Sequence, residues 1–220
     1  MRELGYERFC VQGGDIGAGV STILGLRYPE RVMGVHLNYI PGSYRPHIDS
    51  PLTPLEEAFL QSANEWSERN GAYAHIQRTT PQTAAYGLND SSAGLAGWIL
   101  EKFCSWSDRT LDINELLTNV TLYWMTETIA SSFRIYFENR KAPLHFEAGD
   151  FVRPPCAVAC FPKEISAPPQ SWVERGYNVQ RWTEMPRGGH FAAMEEPALL
   201  AEDLRAFFTS SDMRERFRPG

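Results

Sequence analysis

Hydrophobic spacing changes character along this chain, and the changes mark its elements. Phe9 to Gln12 is a short apolar run after a polar start. It leads straight into Gly13-Gly14-Asp15-Ile16-Gly17, which reads as strand, sharp turn and helix. From Ala18 to Tyr28 the residues Val20, Ile23, Leu24 and Leu26 keep helical spacing, Pro29 ends the pattern, and Arg31 to Ile40 reads as a second strand. Strand, helix, strand is a right-handed parallel crossover in nearly every known case. The Pro-rich tract Pro41 to Pro54 reads as a connector. From Leu55 to about Glu138 the spacing is wholly helical, in Leu55 to Glu68, Ala93 to Trp106 and Ile113 to Asn139. No stretch there alternates as a strand would, so an all-helical insertion is expected. After a loop from Arg140 to Pro155, Cys156 to Phe161 returns to strand, Gln170 to Arg175 reads as a short helix and Asn178 to Trp182 as another strand. Glu196 to Thr209, with Leu199, Leu200, Leu204 and Phe207, closes the chain as an amphipathic helix. The class is α/β with a mostly parallel sheet. Residues 1–45 and 146–220 form the core and residues 46–145 the helical insertion.

With 220 residues, 43% of them apolar, the chain can bury a real core. A formal charge of -6, with no basic cluster beyond the interrupted Arg214 to Arg218, argues against nucleic acid as a partner. No apolar run approaches the roughly 20 residues of a membrane-spanning helix, and the N-terminus lacks a signal peptide's apolar core. Cys156 and Cys160 lie four apart in an expected strand, roughly 13 Å from each other at about 3.3 Å per residue, too far to bridge. With Cys10 and Cys104 in apolar surroundings, reduced thiols and a cytoplasmic location are expected.

The turn Gly13-Gly14-Asp15-Ile16-Gly17 has the small-x-nucleophile-x-small form of a nucleophile elbow, with aspartate at its centre. Such a turn strains the backbone of the central residue, and side chains two positions away on either side are expected to collide with strand and helix. It also aims the Ile16 backbone N–H and the helix N-terminus at charge developing beside Asp15. The plain alternative is a Gly-rich turn with an N-capping aspartate.

Gly188-Gly189-His190-Phe191 follows a strand and precedes the last helix, so it places an imidazole at the sheet edge where open α/β folds put their sites. His36, His47, His75 and His145 fall in a strand, the connector, the helical region and a polar loop, and read as structural or solvated. A base of this kind needs an acid to fix its tautomer. Glu164, just after the strand Cys156 to Phe161, is the first candidate; Asp150 and Glu184 are rivals.

On these motifs the chain resembles the microsomal-type epoxide hydrolases, in the α/β-hydrolase superfamily. The carrying stretches are Val11 to Gly17, Tyr73 to Gln77, Ser131 to Asn139, Phe161 to Glu164 and Arg187 to Pro197, in the family's order. The resemblance implies Asp15 as nucleophile, Glu164 as charge-relay acid and His190 as base, with Tyr73 and Tyr136 on a helical cap as donors to the epoxide oxygen. It implies a hydrophobic epoxide and water as substrates, and no cofactor or metal. Trp98, Trp106 and Trp124 suggest an apolar cavity, although each fits cap core equally well.

Two departures stand out. Asp15 follows only 14 residues, where the family places four earlier strands, and no His-Gly pair is present to supply a second oxyanion donor. The expectation is an α/β-hydrolase chain lacking its N-terminal strands, and any membrane anchor with them. Its first strand would then be an open edge prone to self-association. Two other functions compete: a catalytically silent fragment that acts as a binding or regulatory partner, and a haloalkane dehalogenase. The second pairs its aspartate with a tryptophan where this chain has Ile16.

Overall fold

The structure, a computed structural model, describes residues 1–141 and 143–217. Four strands, β1 (Phe9–Gly13), β2 (Val32–Leu37), β3 (Val152–Cys160) and β4 (Tyr177–Glu184), form a sheet in the order β1-β2-β3-β4. Every pairing is parallel, with Val11 opposite Val35, Val35 opposite Cys156 and Cys156 opposite Val179. Among the described residues β1 is therefore an edge strand, as expected.

Helices cover both faces of this sheet, as parallel sheets require. Helix α1 (Asp15–Arg27) runs so close that a Cβ on Gly25 would lie 2.9 Å from Val152 and 3.1 Å from Val35. On the opposite face a Cβ on Gly34, the neighbour of Val35, would lie 2.7 Å from Met213 and 3.3 Å from Phe208. The largest core joins α1 to the sheet through Ala18, Val35, Leu37, Val152, Cys156 and Val158. The outward face of α1 leaves Ile16, Val20 and Ile23 exposed.

Two compact units emerge from the contacts within the chain: Met1–Leu60 with the chain from Leu144 onward, and Gln61–Pro143. Helix α2 (Pro54–Asn70) opens with a capping box. The Glu56 N–H donates to Thr53 Oγ1 at 3.3 Å, and the Thr53 N–H donates to Glu56 Oε2 at 2.8 Å. Arg175 donates to both oxygens of Glu56 at 2.8 and 2.9 Å. Those hydrogen bonds outweigh burial and hold the Glu56 carboxyl at about 2.

The second unit is all helix: α3 (Ala72–Thr79), α4 (Pro81–Asp90), α5 (Ser92–Trp106), α6 (Ile113–Thr126) and α7 (Ile129–Asn139). Its core is Ala85, Leu95, Val120, Ile129 and Phe133, with Trp98 and Trp124 packed against it. Residues Ile113 to Asn139, one continuous helix by spacing, break at Glu127. Its backbone is left-handed (φ 54), and its N–H caps α6 on the carbonyl of Trp124 at 3.3 Å. No glycine or proline marks that break in the sequence.

The remaining helices are α8 (Gln170–Glu174), α9 (Ala192–Glu195), α10 (Pro197–Phe208) and α11 (Ser211–Phe217). Strand β3 begins at Val152, ahead of the expected Cys156, and contains Pro154 and Pro155. Proline cannot donate to a ladder. The pairing with β4 accordingly shifts register between Val152 and Cys156. Beneath α10, Asp203 is a buried bridge: it accepts from His36 Nε2 at 3.1 Å, Arg181 Nε at 2.7 Å and Thr183 Oγ1 at 2.8 Å. Burial would raise this carboxyl, yet the three donors together hold it at about 2.

Candidate active site

Asp15 lies where β1 turns into α1, with its backbone in the left-handed region at φ 44. Such a conformation is uncommon in a residue other than glycine and has to be held by its surroundings. Two glycines allow the packing. A Cβ on Gly13 would stand 2.2 Å from the carbonyl carbon of Gly17, and one on Gly14 would stand 2.6 Å from Asn38 Nδ2. Gly17 differs from expectation, since a Cβ there would meet nothing within 4 Å. The steric demand therefore falls on the residues before the aspartate. The backbone ladder of α1 starts with the Ala18 N–H donating to the Gly14 carbonyl at 3.1 Å. The Ile16 N–H thus belongs to the first turn, where donors have no partner within the helix.

Three sequence-selected side chains meet at this end of the sheet. His190 Nε2 is 3.6 Å from Asp15 Oδ2, and His190 Nδ1 is 2.6 Å from Glu164 Oε1. The side chains of His190 and Glu164 are each 4% exposed, whereas that of Asp15 is 54% exposed, so the aspartate is the member open to a reactant. Glu164 Oε1 also accepts from the Ile165 N–H at 2.7 Å, which fixes the carboxylate against the ring. Of the rival acids, Asp150 accepts from the Glu147 N–H in its own loop, and Glu184, exposed at the end of β4, lines a cavity together with Glu164. The loops bearing acid and base are tied directly, the Lys163 N–H donating to the Gly188 carbonyl at 3.1 Å. Gly188 has φ 106, and a Cβ there would strike the Phe161 ring at 2.6 Å. A cavity of about 520 Å³ borders Glu164 between Tyr39, Phe161, Trp182 and Met185. Neither Asp15 nor His190 lines it.

Burial alone would lower the His190 pKa, but the carboxylates of Asp15 and Glu164 outweigh it and raise the imidazole to about 9. Burial pushes the Glu164 carboxyl up, and the bond from His190 opposes it. An imidazole in this setting is biased toward its protonated form, and loss of a neighbouring negative charge would weaken that bias. Asp15→Asn mimics that loss. Because an opposite charge at this distance favours the imidazolium, its removal must lower the pKa, by roughly one unit or more. NMR titration of the ring protons should place His190 near pH 9 in the parent chain and clearly lower in Asp15→Asn. Coincident curves would show that Asp15 does not set the charge of the base.

Within the second unit, Tyr73 on α3 and Tyr136 on α7 are brought together, their rings edge to face with centroids 6.1 Å apart. Both are half-buried. Trp106 packs on Tyr73 at 5.3 Å, and Lys102 Nζ lies 4.6 Å above the Tyr73 ring. Of the expected cavity tryptophans, Trp98 and Trp124 belong to the helical core, and Trp106 alone adjoins a site candidate.

Three further residues touch the site that spacing did not suggest. The Asn38 N–H donates to the Gly13 carbonyl at 3.2 Å, and its Oδ1 accepts from Gln12 Nε2 at 2.7 Å beneath the turn. Tyr39 meets the His190 ring edge to face at 5.6 Å. Glu195, buried, accepts from the Phe191 N–H at 3.1 Å.

A parallel sheet wrapped by helices, with an aspartate at a strand-to-helix turn and acid and base on the loops after later strands, has the architecture of the α/β-hydrolase fold. The solved Aspergillus niger epoxide hydrolase superposes with a TM-score of 0.80 at 31% identity, over 94% of this chain and 54% of that one. In sequence the chain is homologous to epoxide hydrolases along nearly its whole length. Epoxide hydrolase 1 of Oryctolagus cuniculus is 37% identical over 241 residues, 94% of this chain and 52% of its own. A relative from Stigmatella aurantiaca is 41% identical over 215 residues, 94% of this chain and 48% of its own. The chain spans about half the length of the curated relatives it matches. No family model matches it.

Proposed function

We propose that this chain carries the reacting groups of an epoxide hydrolase, which opens a hydrophobic epoxide to a vicinal diol through an aspartyl ester. One observation carries the reading: an exposed aspartate on a strained turn, 3.6 Å from an imidazole whose other nitrogen is held at 2.6 Å by a buried carboxylate. In the first step an Asp15 oxygen attacks an epoxide carbon and the carbon–oxygen bond breaks. A proton from the Tyr73 and Tyr136 pair reaches the departing oxygen, since a phenol of pKa about 10 can supply it at neutral pH. Esterification removes the negative charge facing His190 Nε2, so the imidazolium releases its proton to solvent and the ring becomes a base, to be reprotonated from solvent once the Asp15 carboxylate is restored. The neutral ring then takes a proton from water, whose oxygen adds to the ester carbonyl while the Ile16 N–H meets the oxyanion. Collapse of that adduct releases the diol, the imidazolium returns its proton to the departing alkoxide, and the acid formed at Asp15 restores the tyrosine proton. A serine could not substitute for the aspartate, because the alkyl ether it would form has no carbonyl for water to attack.

The chain order Asp15, Glu164, His190 and the Trp106 ring against Tyr73 support the same reading. Among the described residues no helix is long and apolar enough to cross a membrane. Cys156 and Cys160, free thiols on one strand, support a reducing compartment such as the cytoplasm. The test is a single-turnover incubation with an aryl epoxide, read by intact mass and peptide mapping. A one-equivalent adduct on Asp15 that vanishes in Asp15→Ala is expected. Folded protein that is never labelled would overturn the reading.

A further inference from the structure

We propose that Glu195 is a positioning residue for His190, acting through the backbone of Phe191. It rests on the ester mechanism above, in which the imidazole is needed in one half of the reaction only. The base loop runs from Gly188 to Phe191 and is held on several sides. The Arg187 guanidinium pairs with Glu196 at 2.9 Å across its neck. The Gly188 carbonyl accepts from the Lys163 N–H, tying the loop to the acid. Beyond the histidine, Glu195 Oε1 turns back from the end of α9 to accept the Phe191 N–H at 3.1 Å, and the residue is only 2% exposed. The N–H of Glu195 in turn donates to the Phe191 carbonyl at 2.9 Å. Phe191 is thus held at both backbone polar groups: its N–H by the Glu195 side chain, and its carbonyl by the first helical bonds of α9, from Met194 at 2.8 Å and Glu195 at 2.9 Å. With its backbone fixed on that side, the His190 ring is set between Glu164 and Asp15. Proton transfer is sensitive to the angle at which the base meets its partner, so a fixed loop backbone matters most in the step where the imidazole takes a proton from water.

The two half-reactions separate positioning from general support. Alkylation of Asp15 does not use His190, whereas ester hydrolysis does. In single-turnover experiments Glu195→Ala should alkylate within about threefold of the parent rate and hydrolyse the ester roughly tenfold to a hundredfold more slowly, so that ester accumulates. Glu195→Gln keeps the acceptor oxygen and should recover most of the lost rate. Glu195→Asp retracts the acceptor by one methylene and gives a second variant with the same expected signature should the alanine variant not fold. Equal losses in both half-reactions, or none in either, would overturn the assignment. If the parent chain itself takes no label, the epoxide reading fails. The positioning claim is still readable, because a misaligned ring shifts the NMR titration of His190 in Glu195→Asp, and an unmoved curve would sink it.

Discussion

Replacing His190 by alanine is expected to slow release of the ester about ten-thousandfold while leaving its formation nearly intact. Incubation with an aryl epoxide should therefore convert the protein to a stable one-equivalent adduct. The reason lies in what each step requires. Attack by an Asp15 oxygen needs an open carboxylate, and Asp15 is the exposed member of the triad. Attack by water needs a base, and in the proposed mechanism the imidazole is the side chain of the three that loses its proton once the ester has formed. Its pKa near 9 depends in part on the Asp15 charge, which the proposed ester would erase. Quench-flow with mass detection would follow both phases. An alanine variant that turns over the ester at the parent rate would show that another group activates the water.

The mirror image is expected of the double variant Tyr73→Phe with Tyr136→Phe. In the proposed mechanism removal of both phenols takes away the proton for the departing oxygen, and general acid catalysis of this kind is worth roughly a hundredfold to ten-thousandfold. Alkylation should fall by that order, while ester already formed should hydrolyse at the parent rate. Each single variant should fall less, because the rings are neighbours 6.1 Å apart and the surviving hydroxyl can take over part of the donation. The measurement is the burst phase of a single turnover. A double variant that alkylates at full speed would assign the proton to another donor.

Much of this arrangement was legible from local chemistry. Gly13 and Gly14 around Asp15 announce a turn that no larger residue fits, and the clashes at 2.2 and 2.6 Å give the reason. The His190 loop was visible for the same cause, since Gly188 takes a backbone that L side chains rarely adopt. The acid was not settled by spacing. Glu164, Asp150 and Glu184 all flank a strand of the sheet, and only the fold brings Glu164 to 2.6 Å from the ring. The break at Glu127 escaped notice because an ordinary residue adopts the left-handed backbone there, stabilised by capping bonds that leave no composition signal. Pro154 and Pro155 hid the start of β3 because a shift in register accommodates them. Glu195 lies just ahead of the helix expected from Glu196 to Thr209, and only the folded chain brings its carboxylate to the Phe191 N–H.

Asp203 links parts of the molecule that share no sequence neighbourhood. His36 belongs to β2 and Arg181 and Thr183 to β4, with β3 between them, so one carboxylate on α10 works as a clasp across three strands. The chain that leaves Thr183 along β4 soon becomes the loop carrying His190. Helix α10 is in this way a lever on the loop of His190: a substitution on α10 that loosens the clasp frees the end of β4, and its effect would surface as an error in the aim of the imidazole.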